Sequence, residues 1–236
     1  MLRPPAGLCL YEVWHFHISG VLVNPPGLNI ISAFLPSMLS AVEYCQHLLR
    51  RQVRPGDLAV DATAGNGHDT HFLTQLTSPG GRVFSFDVQP QAIAATKLLL
   101  QKNGVPESCY RLLPVCHTAM EEQLPEESKG RIAAVIFNLG YLPGGNKSIV
   151  TRTDTTLAAV RTALTVLRPG GLLLLVLYPG HTEGAVEAQA LQQFAAGLPP
   201  GQWQVTEYRT LNARKAPPAV LAIEKSGAGS PRVAQV

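Results

Sequence analysis

The stretch Asp61-Ala62-Thr63-Ala64-Gly65-Asn66-Gly67 joins a short apolar run to a helical one, and its reading decides the fold. Leu58–Asp61 reads as a strand. Residues 69–76 read as a helix, stopped by Ser78-Pro79-Gly80-Gly81. Strand, Gly-rich turn and helix form the first unit of a doubly wound sheet, whose ligand lies outside the carboxyl ends of the strands. Gly65 and Gly67 let the backbone turn tightly and approach that ligand. Close helix–strand packing asks for the same glycines, so the turn alone is a weak sign of a nucleotide.

Outward from the turn, strand-like and helix-like segments alternate. Residues 82–87 read as a second strand, and Pro90 opens a helix running to Lys102. Strands follow at 110–113 and 133–138. A helix over 154–167 closes at Arg168-Pro-Gly-Gly171, before a strand at 172–178 and a helix at 183–196. Two strands in succession, 203–210 and 219–224, end the pattern. Upstream, apolar residues from Met38 keep helical spacing as far as Arg54-Pro55-Gly56. The alternation predicts a Rossmann-like α/β domain with right-handed crossovers and a seven-stranded, mostly parallel sheet. The last two strands predict a C-terminal antiparallel hairpin, which dehydrogenases of this type generally lack. The domain is expected at 38–226. Residues 1–37, broken by prolines, read as an N-terminal extension arising from an upstream start, and 227–236 as a flexible tail.

Composition narrows the classes. A chain of 236 residues, 46% hydrophobic and 15% charged, can bury one large core and is not a disordered chain. The net charge of +3 permits nucleic-acid binding without announcing it. Cys9, Cys45, Cys109 and Cys116 show neither a C-x-x-C pair nor zinc spacing and read as free thiols in a reducing cytoplasm. No metal site is expected. No run approaches the ~18 apolar residues of a membrane span.

The chemistry lies at the strand ends. Asp61 is placed to accept a hydrogen bond, directly or through water, from a positively charged amino-acid group. Asp87, at the end of the second strand, is placed to accept from two ribose hydroxyls. Asp87 suits any adenosine cofactor, but His68-Asp69 crowds the helix start, where a carboxylate would repel a pyrophosphate. S-adenosyl-L-methionine carries no phosphate there, so it is the predicted cofactor. Past the fourth strand, Asn138-Leu-Gly-Tyr141 is close in style to the Asn-Pro-Pro-Tyr loop of enzymes that methylate exocyclic amines. Asn138 and the Leu139 carbonyl offer acceptors to a nitrogen gaining positive charge, and Tyr141 offers a stacking face. His117 follows the third strand, near the expected adenine edge, and His181 follows the fifth, where a substrate would enter.

Together, Asp61-Ala-Thr-Ala-Gly-Asn-Gly-His-Asp69, Phe86-Asp87-Val-Gln89, Phe137-Asn-Leu-Gly-Tyr-Leu-Pro-Gly-Gly145 with Lys147-Ser148, and Tyr178-Pro-Gly-His181 resemble the bacterial YtqB/MnmM family. The similarity runs from about Met38 to Lys225. It implies a class I methyltransferase that modifies the amino group of 5-aminomethyl-(2-thio)uridine at the tRNA wobble position, despite the family's older ribosomal label. It places Asn66, His68 and Asp69 around the methionine moiety, Asp87 and Gln89 around the ribose, and His117 near the adenine. Asn138 and Tyr141 then face the substrate amine, with His181, His68 or bulk water taking its proton. The implied partner is a tRNA anticodon stem-loop, which Lys147, Arg152, Arg209, Arg214 and Lys215 could face. The oligomeric state stays open between monomer and homodimer. The rival readings are a small-molecule N-methyltransferase, an rRNA methyltransferase, and a non-enzymatic RNA-binding factor that keeps the pocket.

Overall fold

A computed structural model describes residues 38–140, 151–213 and 215–227. The extension read at 1–37, the tail beyond Gly227, and Tyr141, Lys147 and Arg214 lie outside these residues.

The first helix, α1 (Ala41–Gln52), opens on a reciprocal cap. The Ser40 hydroxyl accepts from the Glu43 amide while the Glu43 carboxylate accepts from the Ser40 amide. Strands and helices then alternate: β1 (Leu58–Asp61), α2 (His68–Thr77), β2 (Arg82–Phe86), α3 (Pro90–Lys102), β3 (Tyr110–Leu113), the short α4 (Met120–Gln123) and β4 (Ile132–Asn138). After the undescribed segment come α5 (Thr153–Val166), β5 (Leu167–Leu177), α6 (Thr182–Ala196), β6 (Trp203–Tyr208) and β7 (Ala219–Lys225). Strand order is β3-β2-β1-β4-β5-β7-β6. Strands β1 to β5 pair in parallel, and β7 enters antiparallel between β5 and β6. The expected sheet and hairpin are both present.

Successive side chains on a strand face opposite ways, so the sheet serves two cores. Val60, Phe84, Val135 and Leu173 pack on the side of α5 and α6. Ala59, Val83, Ala134 and Leu174 pack on the side of α1 and α2, against Leu49, Phe72 and Leu73. At the hairpin edge, the Tyr44 ring on α1 stacks on Tyr208 with centroids 4.3 Å apart, and the Tyr208 hydroxyl donates to the Leu39 carbonyl.

Two boundaries differ from expectation. Arg168-Pro-Gly-Gly171 belongs to β5 as a bulge: Ile132 pairs with Leu167 and Ala134 with Leu172, so the extra residues swell out of the ladder. Gly170, at φ +72°, supplies the left-handed backbone, and Arg168 anchors the bulge on the Asp57 carboxylate at 3.1 Å. Strand β2 stops at Phe86 because Asp87 turns its carboxylate back on the chain, accepting from the Gln89 amide at 2.9 Å.

Candidate active site

The carboxyl ends of β1, β2 and β4 and the segments that follow β3 and β5 open on one cavity of about 900 Å³. Ligand pockets typically run from about 300 to 1,000 Å³. Because β6 runs parallel to β5, its end at Tyr208 faces the same way, and the connection to β7 brings Ala216 and Pro218 to the cavity wall.

Gly65, Asn66, His68 and Asp69 line the cavity along the β1–α2 turn, but Gly67 does not. Gly67 is the left-handed N-cap of α2, and a Cβ there would lie 2.8 Å from the Thr96 Cα on α3. That glycine lets α2 and α3 approach. Asp61 also stays out of the cavity. It is fully buried, accepting from the Thr70 hydroxyl at 2.6 Å and the Thr63 amide at 3.1 Å. Burial, with the Asp69 charge nearby, pushes its carboxyl up to about 7. Thr63 then links this floor to the substrate side, since its hydroxyl accepts from the Asn138 amide at 2.7 Å.

Asp87 borders the cavity with its oxygens ordering the backbone: one accepts from the Gly65 amide and the other from Gln89, each at 2.9 Å. A carboxylate has about four acceptor positions, so two backbone bonds leave capacity for ribose hydroxyls. Beside it stands Val88, 54% exposed, an apolar wall for a planar base that the sequence reading passed over. His117 is 8% exposed and lines the same region. Its Nδ1–H donates to the Ala62 carbonyl at 3.2 Å, which makes Nε2 the acceptor, buried and without a partner among the described residues. Burial lowers its basicity, so the ring is held neutral. An unmatched acceptor in a cavity is what an adenine amine would satisfy. These residues fit S-adenosylmethionine.

Asn138 ends β4 at the cavity. Its Nδ2 donates to the Asp69 carboxylate at 3.2 Å, leaving the amide oxygen as acceptor. Burial raises the Asp69 carboxyl, and the bond from Asn138 and the nearby His68 oppose the shift. His181 lines the cavity but is committed as the N-cap of α6: its Nδ1 accepts from the Gly184 amide at 3.1 Å. With that lone pair occupied, it has no basic nitrogen to spare. His68 is exposed.

Sequence reasoning missed a clasp between α5 and α6. Glu187, 4% exposed, accepts from the Thr151 and Thr156 hydroxyls, each at 2.7 Å. The Thr151 hydroxyl accepts in turn from the Gly140 amide at 3.1 Å, and the Thr151 amide donates to the Gly140 carbonyl at 3.0 Å. The chain just past Asn138 is therefore pinned to α6. At the cavity rim stands Arg152, its side chain 74% exposed. Among the described residues, no three His, Cys, Asp or Glu side chains gather as metal ligands, and no helix is long and apolar enough to cross a membrane.

Residues 83–224 match the family described as "Putative rRNA methylase". A chloroplastic tRNA (mnm(5)s(2)U34)-methyltransferase of Arabidopsis thaliana is 37% identical over 204 residues, spanning 84% of this chain and 74% of that protein. Among solved structures, a "putative rRNA-methylase" from Clostridium thermocellum superposes with a TM-score of 0.76 at 34% identity, over 80% of this chain and 99% of that one. A "putative methyltransferase" from Streptococcus mutans, in complex with SAH, gives a TM-score of 0.72 at 32% identity over the same shares.

Proposed function

Because the chain belongs to the "Putative rRNA methylase" family and is an S-adenosylmethionine-dependent methyltransferase, we propose that it methylates the amino group of 5-aminomethyl-(2-thio)uridine at the wobble position of tRNA. The observation that carries this reading is the Asn138–Asp69 pair. An alkyl amine enters as a cation with hydrogens to donate, and these two side chains offer it an amide oxygen and a carboxylate at the cavity. A ring carbon would leave both acceptors unmatched, and a neutral hydroxyl, with one hydrogen, would meet only one of them. The Arabidopsis relative acts on U34 of tRNA by its name, and the exposed guanidinium of Arg152 at the rim is suited to a phosphate of an anticodon stem-loop.

When bound, S-adenosylmethionine supplies a methyl group on a sulfonium, open to in-line displacement. The chain's part is placement and charge. Asp87 and Gln89 hold the ribose, His117 Nε2 accepts from the adenine amine, and Val88 covers the ring. Asn66 and His68 hold the methionine end. Asn138 holds an amine hydrogen through its oxygen, so that the nitrogen lone pair aims along the displacement axis. Arg209 and Lys215 lie on the connection between β6 and β7, whose Ala216 and Pro218 reach the cavity wall, and would add positive charge for the RNA backbone. Free thiols at Cys45, Cys109 and Cys116 accord with a reducing compartment such as the cytoplasm.

The test incubates the full chain and S-adenosylmethionine with tRNA, and separately with ribosomal RNA, from a strain lacking the gene. Nucleoside mass spectrometry is expected to show one added methyl on the 5-aminomethyl nucleoside of tRNA. Transfer to ribosomal RNA alone would refute the substrate.

A further inference from the structure

The amine presents a problem that orientation does not solve. An alkyl ammonium with a pKa near that of lysine, about 10.4, has no lone pair in roughly 999 molecules of 1,000 at neutral pH. Something must take a proton before nitrogen can attack carbon. Among the histidines, His181 spends its Nδ1 lone pair on the Gly184 amide, and burial lowers the basicity of His117, whose Nε2 is the acceptor assigned to the adenine amine. His68 is exposed, and among the described residues no hydrogen bond ties it to Asn138 as one ties Asp69.

We propose that Asp69 is the base that deprotonates the substrate amine. This rests on the reading above, that the nucleophile is an aminomethyl group. The geometry is specific. Asp69 lines the cavity in the first turn of α2, and its Oδ2 accepts from Asn138 Nδ2 at 3.2 Å, while Oδ1 has no hydrogen-bond partner among the described residues. The group that orients the amine and the group that takes its proton thus touch each other. Family resemblance assigns Asp69 to the methionine end, but the bond to Asn138 ties it to the amine. The groups facing it come from every neighbouring element: Cys45 on α1, Asp61 at the end of β1, His68 on α2 and Tyr178 after β5. Burial, against the opposing bond from Asn138 and the nearby His68, makes Asp69 a stronger base than an exposed carboxylate, which shortens the uphill transfer from an ammonium.

The step balances. One N–H bond of R–CH2–NH3+ breaks and its proton goes to Asp69, giving R–CH2–NH2 and a neutral carboxylic acid. The nitrogen lone pair forms the N–CH3 bond as the C–S bond breaks, its electron pair passing to sulfur. The products are R–CH2–NH2+–CH3 and a neutral thioether, and Asp69 returns its proton to water.

The experiment measures single-turnover rates of Asp69→Asn on aminomethyl-containing tRNA between pH 6 and 10, with cofactor affinity by calorimetry. The expected loss is about 10²-fold or more at pH 7, shrinking as pH nears the amine's own pKa. Cofactor affinity is expected to stay within about tenfold, and Asp69→Glu to recover the wild-type pH profile at a reduced rate. A loss of equal size at every pH, or no loss, would overturn the proposal. If Asp69→Asn does not fold, Asp69→Glu and the histidines decide. A pH-dependent loss confined to His68→Gln, His117→Asn or His181→Gln would assign the base there instead, and none in all three, with Asp69→Glu keeping the wild-type profile, would support Asp69. A wild-type enzyme inactive on this tRNA at every pH would instead defeat the reading on which the proposal rests.

Discussion

On the proposed reading Asn138 couples two roles that a single substitution removes together. Its oxygen is the group proposed to orient the amine, and its Nδ2 stabilises the charged form of Asp69. Removing it by Asn138→Ala is expected to lower turnover about 10²-fold, the scale of one lost preorganised polar group. The same change removes a bond that lowers the Asp69 pKa, so that pKa rises and the acid limb of the pH–rate profile moves to higher pH. An Asn138→Ala enzyme with wild-type turnover would reduce this segment to a structural turn. The sequence put Asn138, Asp87 and His117 at the cavity because the segments after the strand ends of a doubly wound sheet gather on one side. It could not reveal that Asp61 faces elsewhere. Period-two alternation puts Asp61 on the same face as Ala59, under α2, where Thr70 meets its carboxylate. Nor could it show that His181 caps a helix, since a histidine before an apolar run carries no cap signature in sequence.

Helices α5 and α6 hold the segment after β4 in place through Glu187. The fully buried Thr156 hydroxyl has that carboxylate as its acceptor, so Glu187→Ala leaves a polar group stranded at a cost of about 1–3 kcal/mol. Denaturant unfolding is expected to register this, and turnover to fall as well, because Thr151 no longer fixes Gly140 two residues from Asn138. Glu187→Gln retains one acceptor oxygen and is expected to lose less of both. An unchanged midpoint with normal turnover in the alanine variant would leave the clasp without a role. Elements of this kind were legible wherever glycine and proline punctuate the chain: Pro90 opens α3, and 54–56 follow α1. The bulge in β5 was not, because Pro169-Gly170-Gly171 reads locally as a stop and only pairing with β4 carries the strand through it. The Glu187 clasp joins residues 31 and 36 positions apart, beyond the reach of any local pattern.

At the scale of the whole molecule, the sheet's polarity gathers its acidic groups at one edge. Asp61, Asp69 and Asp87 come from the ends of adjoining units, and among the described residues none of them is paired with a lysine or arginine. The parallel order of β2, β1 and β4 made this edge legible as the site, whereas the burial that raises Asp61 and Asp69 comes from packing. Asp69 and Asp87 on the cavity wall, with Asp61 buried behind them, are expected to make the pocket discriminate spent from fresh cofactor. The two differ by one methyl and one positive charge, and a carboxylate facing the ligand is sensitive to the charge. Burial raises both the Asp61 and the Asp69 carboxyl, Asp61 to about 7, so ionisation grows as pH rises through the mildly acidic range, and with it the expected preference for the cation. Calorimetry at about pH 5.5 and about pH 7 is expected to show the affinity ratio of S-adenosylmethionine to S-adenosylhomocysteine increasing with pH. A constant ratio would mean that the enzyme clears its product by some means other than charge.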